Sequence, residues 1–145
     1  MATIFSKIVM GDIPSCKVAE DDSFYAFLDI NPLAVGHTLV VPKKEIDYIF
    51  DIEDEHFEDL FLFAKRVACA IEKAVPCKRI GIAVYGLDVP HAHIHLIPLH
   101  GKGNELDFSK PKVQMSEEDF VATASKIHSA FESMSDQENC NSRNR

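Results

Sequence analysis

The sequence predicts an α+β domain built on a mainly antiparallel sheet of about five strands with two main helices. Two observations carry this prediction. Short apolar runs are bounded by turn-forming residues, as strands are. Two longer segments repeat apolar residues every three or four positions, as amphipathic helices do. The length of 145 residues suits one domain, which we assign to residues 3–134, and we expect the polar, aperiodic residues 135–145 to be a disordered tail.

The first half of the chain predicts a short helix followed by three strands. The helix spans residues 3–10, with Thr3 as its N-cap, and Pro14 follows its end. Turn-forming residues in segments 21–23 and 31–36 then separate the strands. The three strands are residues 18–20, 24–30 and 38–41.

The second half predicts a long helix, two more strands and a last helix. Strands follow the long helix at residues 80–85 and 91–98, and residues 101–113 are typical of an irregular loop. Ser116 is a plausible cap for the last helix. The apolar stripe of the long helix consists of Phe57, Leu60, Phe61, Ala64, Val67, Ala68, Ile71 and Val75, and that of the last helix of Phe120, Ala124, Ile127 and Phe131.

Composition narrows the class of protein. A net charge of −8 argues against binding nucleic acid through its phosphate backbone, which requires basic patches. No apolar run approaches the roughly 18 residues of a membrane span, and no signal peptide is apparent. The four cysteines form no Cys-x-x-Cys pair. We therefore expect unpaired thiols, a cytoplasmic location and no nucleic-acid or membrane partner.

Three of the seven histidines alternate within five residues, at His91, His93 and His95. In a strand, alternate side chains share one face, so the three rings would form a row with steps of about 6.7 Å. Ala92 and Ile94 fall on the opposite face, where they can join the core. Such a row can be a solvated polar face, but burying three imidazoles without partners is costly. The alternation favours a functional site.

Two functional interpretations of the row compete. Two histidines at i and i+2 can share a zinc ion, but the outer rings of three lie about 13 Å apart by strand rise and converge poorly on one metal. Alternatively, neutral imidazole is a good nucleophile near pH 7, and a covalent phosphohistidine can then be hydrolysed. The middle ring, His93, is the best-placed attacker, because its neighbours can orient it and hold the leaving group or phosphate.

The residues around the row resemble a known family. The pattern His91-Ala-His93-Ile-His95-Leu-Ile is similar to the signature of the histidine triad (HIT) family, in its Hint-like branch. The resemblance covers roughly residues 3–100. Other ordered blocks that match are residues 4–8, 11–14, 20–22, 26–32 and 36–44.

The resemblance implies a HIT-like fold, usually a homodimer whose sheets join, and one HIT domain. It implies hydrolysis or transfer at a nucleoside phosphate through a nucleotidyl-histidine, with a purine mononucleotide or nucleotide conjugate as the ligand and no cofactor. By matching position, His93 is the nucleophile and His95 the phosphate-side histidine, while His91 and His37 orient the ring. The implied nucleotide-binding residues are Phe5, Ile8, Phe27 and Ile30 around the base, Asp29 at the ribose, and Asp88 near the phosphate.

Some of these positions have simpler interpretations. The four apolar residues can be core, Asp29 can stabilise the turn at Asn31-Pro32, and His37 can be a loop residue. The Hint-like branch also usually has Gly-Gln-Ser/Thr-Val before the triad, whereas this chain has Leu87 and Asp88, and a carboxylate beside a phosphate is repulsive. A catalytically weak purine-nucleotide-binding or interaction module is therefore the alternative to an enzyme, and a His-ligated metal protein is a third.

One metal site is expected to be absent. Members of the family that carry zinc have a Cys-x-x-Cys pair at the N-terminus. The matching positions of this chain are Thr3 and Ser6, so we predict no structural zinc.

Overall fold

The computed structural model describes residues 2–134, which contain three α-helices and five strands. The predicted tail at residues 135–145 lies outside the described residues. The helices are α1 (Ile4–Val9), α2 (Asp54–Ala74) and α3 (Glu117–Ser133), and a 3₁₀ helix spans Ile49–Asp51. The strands are β1 (Lys17–Glu20), β2 (Phe24–Leu28), β3 (Thr38–Pro42), β4 (Arg79–Ala83) and β5 (Ile94–Leu99).

The five strands form one antiparallel sheet in the order β1-β2-β3-β5-β4. This confirms the predicted α+β class with its sheet of about five strands and two main helices. Within the described residues, no helix combines the length and hydropathy needed to cross a membrane.

The two faces of the sheet pack against different partners. On one face, α2 and α3 cover the main core, which includes Ala26, Val40 and Ile94. On the other face, α1 covers a smaller apolar cluster of Phe5, Ile8, Tyr25, Phe27, Leu39 and Val41. Because both faces are covered, every residue of β2 and β3 is buried. The continuous apolar runs of these strands follow from this double burial.

The caps predicted for two helices are present. The hydroxyl of Thr3 accepts a hydrogen bond from the backbone N–H of Ser6 at the start of α1. Ser116 caps α3 in the same way by accepting from Asp119 N–H at 3.1 Å. Each cap satisfies a backbone donor that the helix leaves unpaired.

The predicted fifth strand at residues 91–98 is wrong at its start, because β5 begins at Ile94. The N–H of Ala92 donates to the carbonyl of Ile46 at 2.7 Å, in the loop after β3, so this backbone leaves the ladder. The predicted strands at residues 24–30 and 80–85 likewise end early, at Leu28 and Ala83. The histidine row therefore begins in an extended segment and ends in a strand.

The expectation of unpaired thiols is met at Cys16, which is a free thiol. Cys140 lies outside the described residues.

Candidate active site

The histidines lie on the sheet face that α1 covers. His93 and His95 are adjacent, with ring centroids 5.0 Å apart. The ring of Phe5 on α1 makes T-shaped contacts with two of the histidines. Its centroid lies 4.9 Å from that of His93 and 5.9 Å from that of His91. The alternation that predicts one shared face is therefore reproduced, although only His95 belongs to β5.

Hydrogen bonding determines which nitrogen of His93 is free. Its Nδ1 lies 2.8 Å from the backbone carbonyl oxygen of His91, which can only accept, so Nδ1 carries the proton. The lone pair of the neutral ring is therefore on Nε2. The ring lines the cavity described below, where an Nε2 lone pair is the nucleophilic atom.

A second chain of hydrogen bonds orients His95. The backbone N–H of Leu33 donates to Nδ1 of His37 at 3.0 Å, so the proton of His37 is on Nε2. That Nε2–H lies 3.0 Å from Nδ1 of His95 and donates to it. His95 consequently carries its own proton on Nε2, which makes it a hydrogen-bond donor.

Burial keeps both of these rings neutral. Desolvation, followed by the neighbouring His95 and Lys112, lowers the pKa of His37 to about 3. The pKa of His95 falls to about 4, chiefly by desolvation and then through His93, while the Asp88 carboxylate opposes the shift. At neutral pH, each therefore bonds as a neutral imidazole.

Asp29 lies beside this pair at the end of β2. One of its carboxylate oxygens is 3.6 Å from Nε2 of His37, and the other accepts from the N–H of Asn31 at 2.8 Å. Burial raises the pKa of Asp29, an effect that the Asn31 bond opposes. Asp29 thus stabilises the turn at Asn31-Pro32, as the simpler interpretation predicts, and it also lines the cavity.

The ligand atoms of Asp29, His37 and His95 lie within 4.8 Å of one another, which is close enough to hold a metal ion. The tautomer of His37 argues against metal binding by these three residues. His37 Nδ1 accepts from the Leu33 N–H, so a metal on Nε2 would require a fully deprotonated ring. A ligating histidine normally donates its second N–H instead.

The cavity has a volume of about 630 Å³ and lies between α1 and the end of β2. His37 and His91 do not line it and lie behind the other two histidines, fully buried. The structure thus separates two rings at the cavity from two supporting rings. The cavity is lined by eight of the residues predicted for the site: Phe5, Ile8, Phe27, Asp29, Ile30, Asp88, His93 and His95.

The apolar lining residues combine the two interpretations made from the sequence. Phe5, Ile8 and Phe27 are buried in the smaller apolar cluster and also face the cavity. Ile30 lines the cavity with 74% of its surface exposed, so it is not core. An exposed isoleucine at the mouth of an apolar cavity can contact a flat base.

Polar contacts hold α1 against the histidine segment. Thr3 Oγ1 lies 2.8 Å from Nδ1 of His91, whose Nε2 donates to the carbonyl of Pro42 at 2.8 Å. Glu45 accepts from the backbone N–H of Thr3 and from the hydroxyl of Ser6. The positions at which zinc-carrying relatives have cysteines therefore form a hydrogen-bonded clamp, which we call the α1 clamp. The absence of structural zinc stays a prediction.

The two residues that depart from the family pattern lie on different sides of the loop before the triad. Asp88 lines the cavity, and the charge of its carboxylate opposes the lowering of the pKa of His95. Leu87 is 78% exposed and lines a separate groove with Tyr48 and Phe50. Of these two residues, Asp88 is therefore the one that could contact a ligand in the cavity.

Among the lining residues that the sequence did not predict, two come from the loop that follows β5. Phe108 contacts the edge of His95 with ring centroids 4.7 Å apart, and Lys112 lines the same wall. Both belong to the loop at residues 101–113, which has neither periodicity nor a motif. Nothing in the sequence around them indicates that this loop folds back over the histidines.

Comparison with known proteins identifies the family. A model of the HIT domain matches residues 10–102. Protein hit of Bacillus subtilis is 41% identical over 108 residues, which are 70% of this chain and 73% of that protein. Adenosine 5′-monophosphoramidase hnt1 of Schizosaccharomyces pombe is 36% identical over 131 residues, which are 89% of this chain and 98% of that protein.

Solved structures agree with the sequence comparison. A crystal structure of a HIT-like protein from Bartonella henselae is similar with a TM-score of 0.77 and 32% identity, and the match covers 88% of this chain and 95% of that one. The fold and the histidine pattern thus point to the same family. The chain belongs to the histidine triad (HIT) family.

Proposed function

We propose that this protein is a hydrolase or transferase that acts at the α-phosphate of a nucleoside phosphate through a nucleotidyl intermediate on His93. The observation that carries the proposal is the 2.8 Å bond from His93 Nδ1–H to the carbonyl of His91. It leaves the lone pair on Nε2 of a ring that lines the cavity, beside a donor on His95. A nucleophile oriented by a buried acceptor is the arrangement that covalent catalysis requires.

The proposed reaction has two displacement steps. His93 Nε2 attacks phosphorus, and the electron pair of the broken P–N or P–O bond leaves with the departing group, which takes up a proton from solvent. Water then attacks the phosphorus, the P–Nε2 bond breaks, and water's proton is released. In both steps, the Nε2–H of His95 donates to a phosphoryl oxygen on which negative charge develops.

The proposed ligand is a purine nucleotide. Phe5, Ile8, Phe27 and Ile30 provide an apolar wall for the base. Asp29 is a carboxylate acceptor for the ribose hydroxyls at the end of that wall. The similarity to a yeast protein named adenosine 5′-monophosphoramidase favours an adenosine phosphoramidate, and dinucleoside polyphosphates are the second class to test.

The test is turnover of adenosine 5′-phosphoramidate and of diadenosine polyphosphates by the purified protein. We expect release of AMP from at least one, loss of that release in His93→Ala, and a nucleotidyl adduct on His93 detectable by mass spectrometry after acid-free quenching. His100→Ala is the matched control, since that ring lies outside the cavity. If neither substrate is turned over by the unmodified protein, the enzyme proposal is wrong.

A catalytically weak nucleotide-binding module is the second candidate. Asp88 favours it, because a carboxylate at the cavity wall beside His95 repels a phosphate. Calorimetry separates the two candidates. Tight binding of AMP without turnover of either substrate class supports the binding module.

We also propose that the protein is a homodimer. Strand β4 is at the edge of the sheet, and large apolar side chains on and after it are exposed, namely Ile82, Val84 and Tyr85. An open apolar edge of this kind favours pairing with a second strand. Light scattering should give a dimer mass that Ile82→Arg lowers and Val121→Arg, on exposed α3, does not.

The cytoplasmic location stays a prediction from the sequence. Fractionation of cells that express the full chain tests the location directly.

A further inference from the structure

The loop at residues 101–113 follows β5 and returns across the histidine site. The HIT domain model matches residues 10–102, which include the first two residues of this loop. The far end of the loop is held where Val113 N–H donates to the carbonyl of Pro32 at 2.8 Å. Pro32 is in the turn that follows Asp29, so this bond brings the loop to one wall of the cavity.

The middle of the loop packs on the site itself. The ring of Phe108 makes T-shaped contacts with His95 and His37, with ring centroids 4.7 Å and 6.4 Å apart. It also stacks on Tyr85, with ring centroids 5.9 Å apart. Asp107 closes the turn that contains Phe108 by accepting from the N–H and hydroxyl of Ser109. The loop therefore has a defined position relative to the two histidines that face the cavity.

That position brings the ammonium group of Lys112 to the cavity wall. Lys112 is half-buried, and its Nζ donates to the carbonyls of Phe108 and of Lys110, the latter at 3.0 Å. An ammonium group has three N–H donors. Two carbonyls of its own loop thus hold the cation in place, and one donor remains for a ligand atom.

The charges around the cavity show what that donor is suited to bind. Two carboxylates line the cavity, Asp29 and Asp88, and the lining His95 and the His37 behind it are neutral at pH 7 because their pKa values are lowered. Among the described residues that line it, Lys112 is the one lysine or arginine. Without Lys112, a nucleotide phosphate would therefore enter a cavity with two negative side chains and no fixed positive charge.

We propose that Lys112 is an anion-binding residue that holds a phosphate oxygen of the nucleotide and makes the site select nucleotides over uncharged nucleosides. The inference rests on the proposed nucleotide site and extends it to a loop in which the family pattern identified no site residue. A charge-assisted N–H···O bond to phosphate discriminates between ligands with and without the anion, since a neutral ligand gains nothing from it.

Calorimetry with AMP and adenosine on the full chain tests this role. We expect Lys112→Gln to weaken AMP binding about tenfold and to leave adenosine binding unchanged. Lys112→Arg should restore most of the AMP affinity, because it restores the cation. Lys110→Gln is the matched control, since it removes the same charge from the same loop at a residue that does not line the cavity.

The outcomes separate this inference from the proposed function. Equal AMP affinities in Lys112→Gln and Lys110→Gln would overturn the role of Lys112, while turnover by the unmodified protein would still support the nucleotide enzyme. Parallel loss of AMP and adenosine binding in Lys112→Gln would also overturn it, because the residue would then be supporting the fold of the wall. An unmodified protein that binds neither ligand would overturn the role of Lys112, and the absence of turnover as well would overturn the proposed function.

Discussion

The Nε2–H of His37 donates a hydrogen bond to Nδ1 of His95 across 3.0 Å, although 58 positions separate the two residues in the chain. The direction of this bond follows from the Leu33 N–H, which occupies the other nitrogen of His37. Its consequence is that His95 has its proton on Nε2. A residue that does not line the cavity thus determines what a lining residue can donate.

The first prediction separates the two bonds of His37. In His37→Asn, the amide oxygen can still accept from Leu33, but the side chain is too short to donate to His95. In His37→Gln, the amide nitrogen can still reach His95. We expect kcat for adenosine 5′-phosphoramidate to fall about 100-fold in His37→Asn and much less in His37→Gln. Equal losses in both variants would show that the bond to His95 is not what matters.

The second prediction concerns stability in acid. The unfolded chain takes up protons near pH 6.5, whereas the folded rings of His37 and His95 stay neutral down to about 3 and about 4. The unfolded state therefore binds more protons below pH 6.5, and the folded state loses about 1.4 kcal/mol per pH unit for each ring. Urea unfolding at pH 7.5, 6 and 5 measures the loss. His37→Asn should show a shallower slope, and an unchanged slope would contradict the assignment.

The third prediction concerns the carboxylate beside His95. Asp88→Asn removes its charge without changing its size, so we expect KM for an anionic substrate to fall about three- to tenfold. The effect should shrink at high salt, because Asp88 is exposed. Asp59→Asn on the exposed face of α2 is the matched charge control. A fall in kcat in Asp88→Asn would instead indicate that the carboxylate positions His95.

The fourth prediction concerns the α1 clamp. Thr3→Val keeps the shape of the side chain but removes the N-cap and the bond to His91 Nδ1, whereas Thr3→Ser keeps both. We expect Thr3→Val to lower the free energy of unfolding by about 1–2 kcal/mol. It should raise KM more than it lowers kcat, because Phe5 and Ile8 on α1 line the cavity. Identical KM values for the Val and Ser variants would show that the clamp does not position α1.

Local patterns were enough to predict most of the elements. The stripe of α2, the caps Thr3 and Ser116, and the turns between strands depend on neighbours within a few residues, so they are visible in the chain. The errors are in the bounds of strands whose ends depend on residues that are distant in the chain. Strand β5 begins three residues late because Ala92 N–H bonds to Ile46, on another segment, which no local pattern indicates.

For the site, the sequence by itself determined that His91, His93 and His95 share a face, since alternation is a local property of extended backbone. It also indicated, through the family pattern, the apolar residues and Asp29 that the cavity contains. Only the tertiary structure decided which nitrogen of each ring carries a proton. Tautomers depend on single donors and acceptors, such as the Leu33 N–H and the His91 carbonyl, placed by the whole fold.

The tertiary structure alone also decided that an aperiodic loop supplies Phe108 and Lys112 to the same cavity. The physical reason is that a loop takes its position from contacts at its ends and on its path, here Pro32 and His95, rather than from a repeating pattern of its own. The alternating histidines therefore indicated the chemistry of the site from the sequence alone. The charge that balances its carboxylates became visible only once the chain had folded.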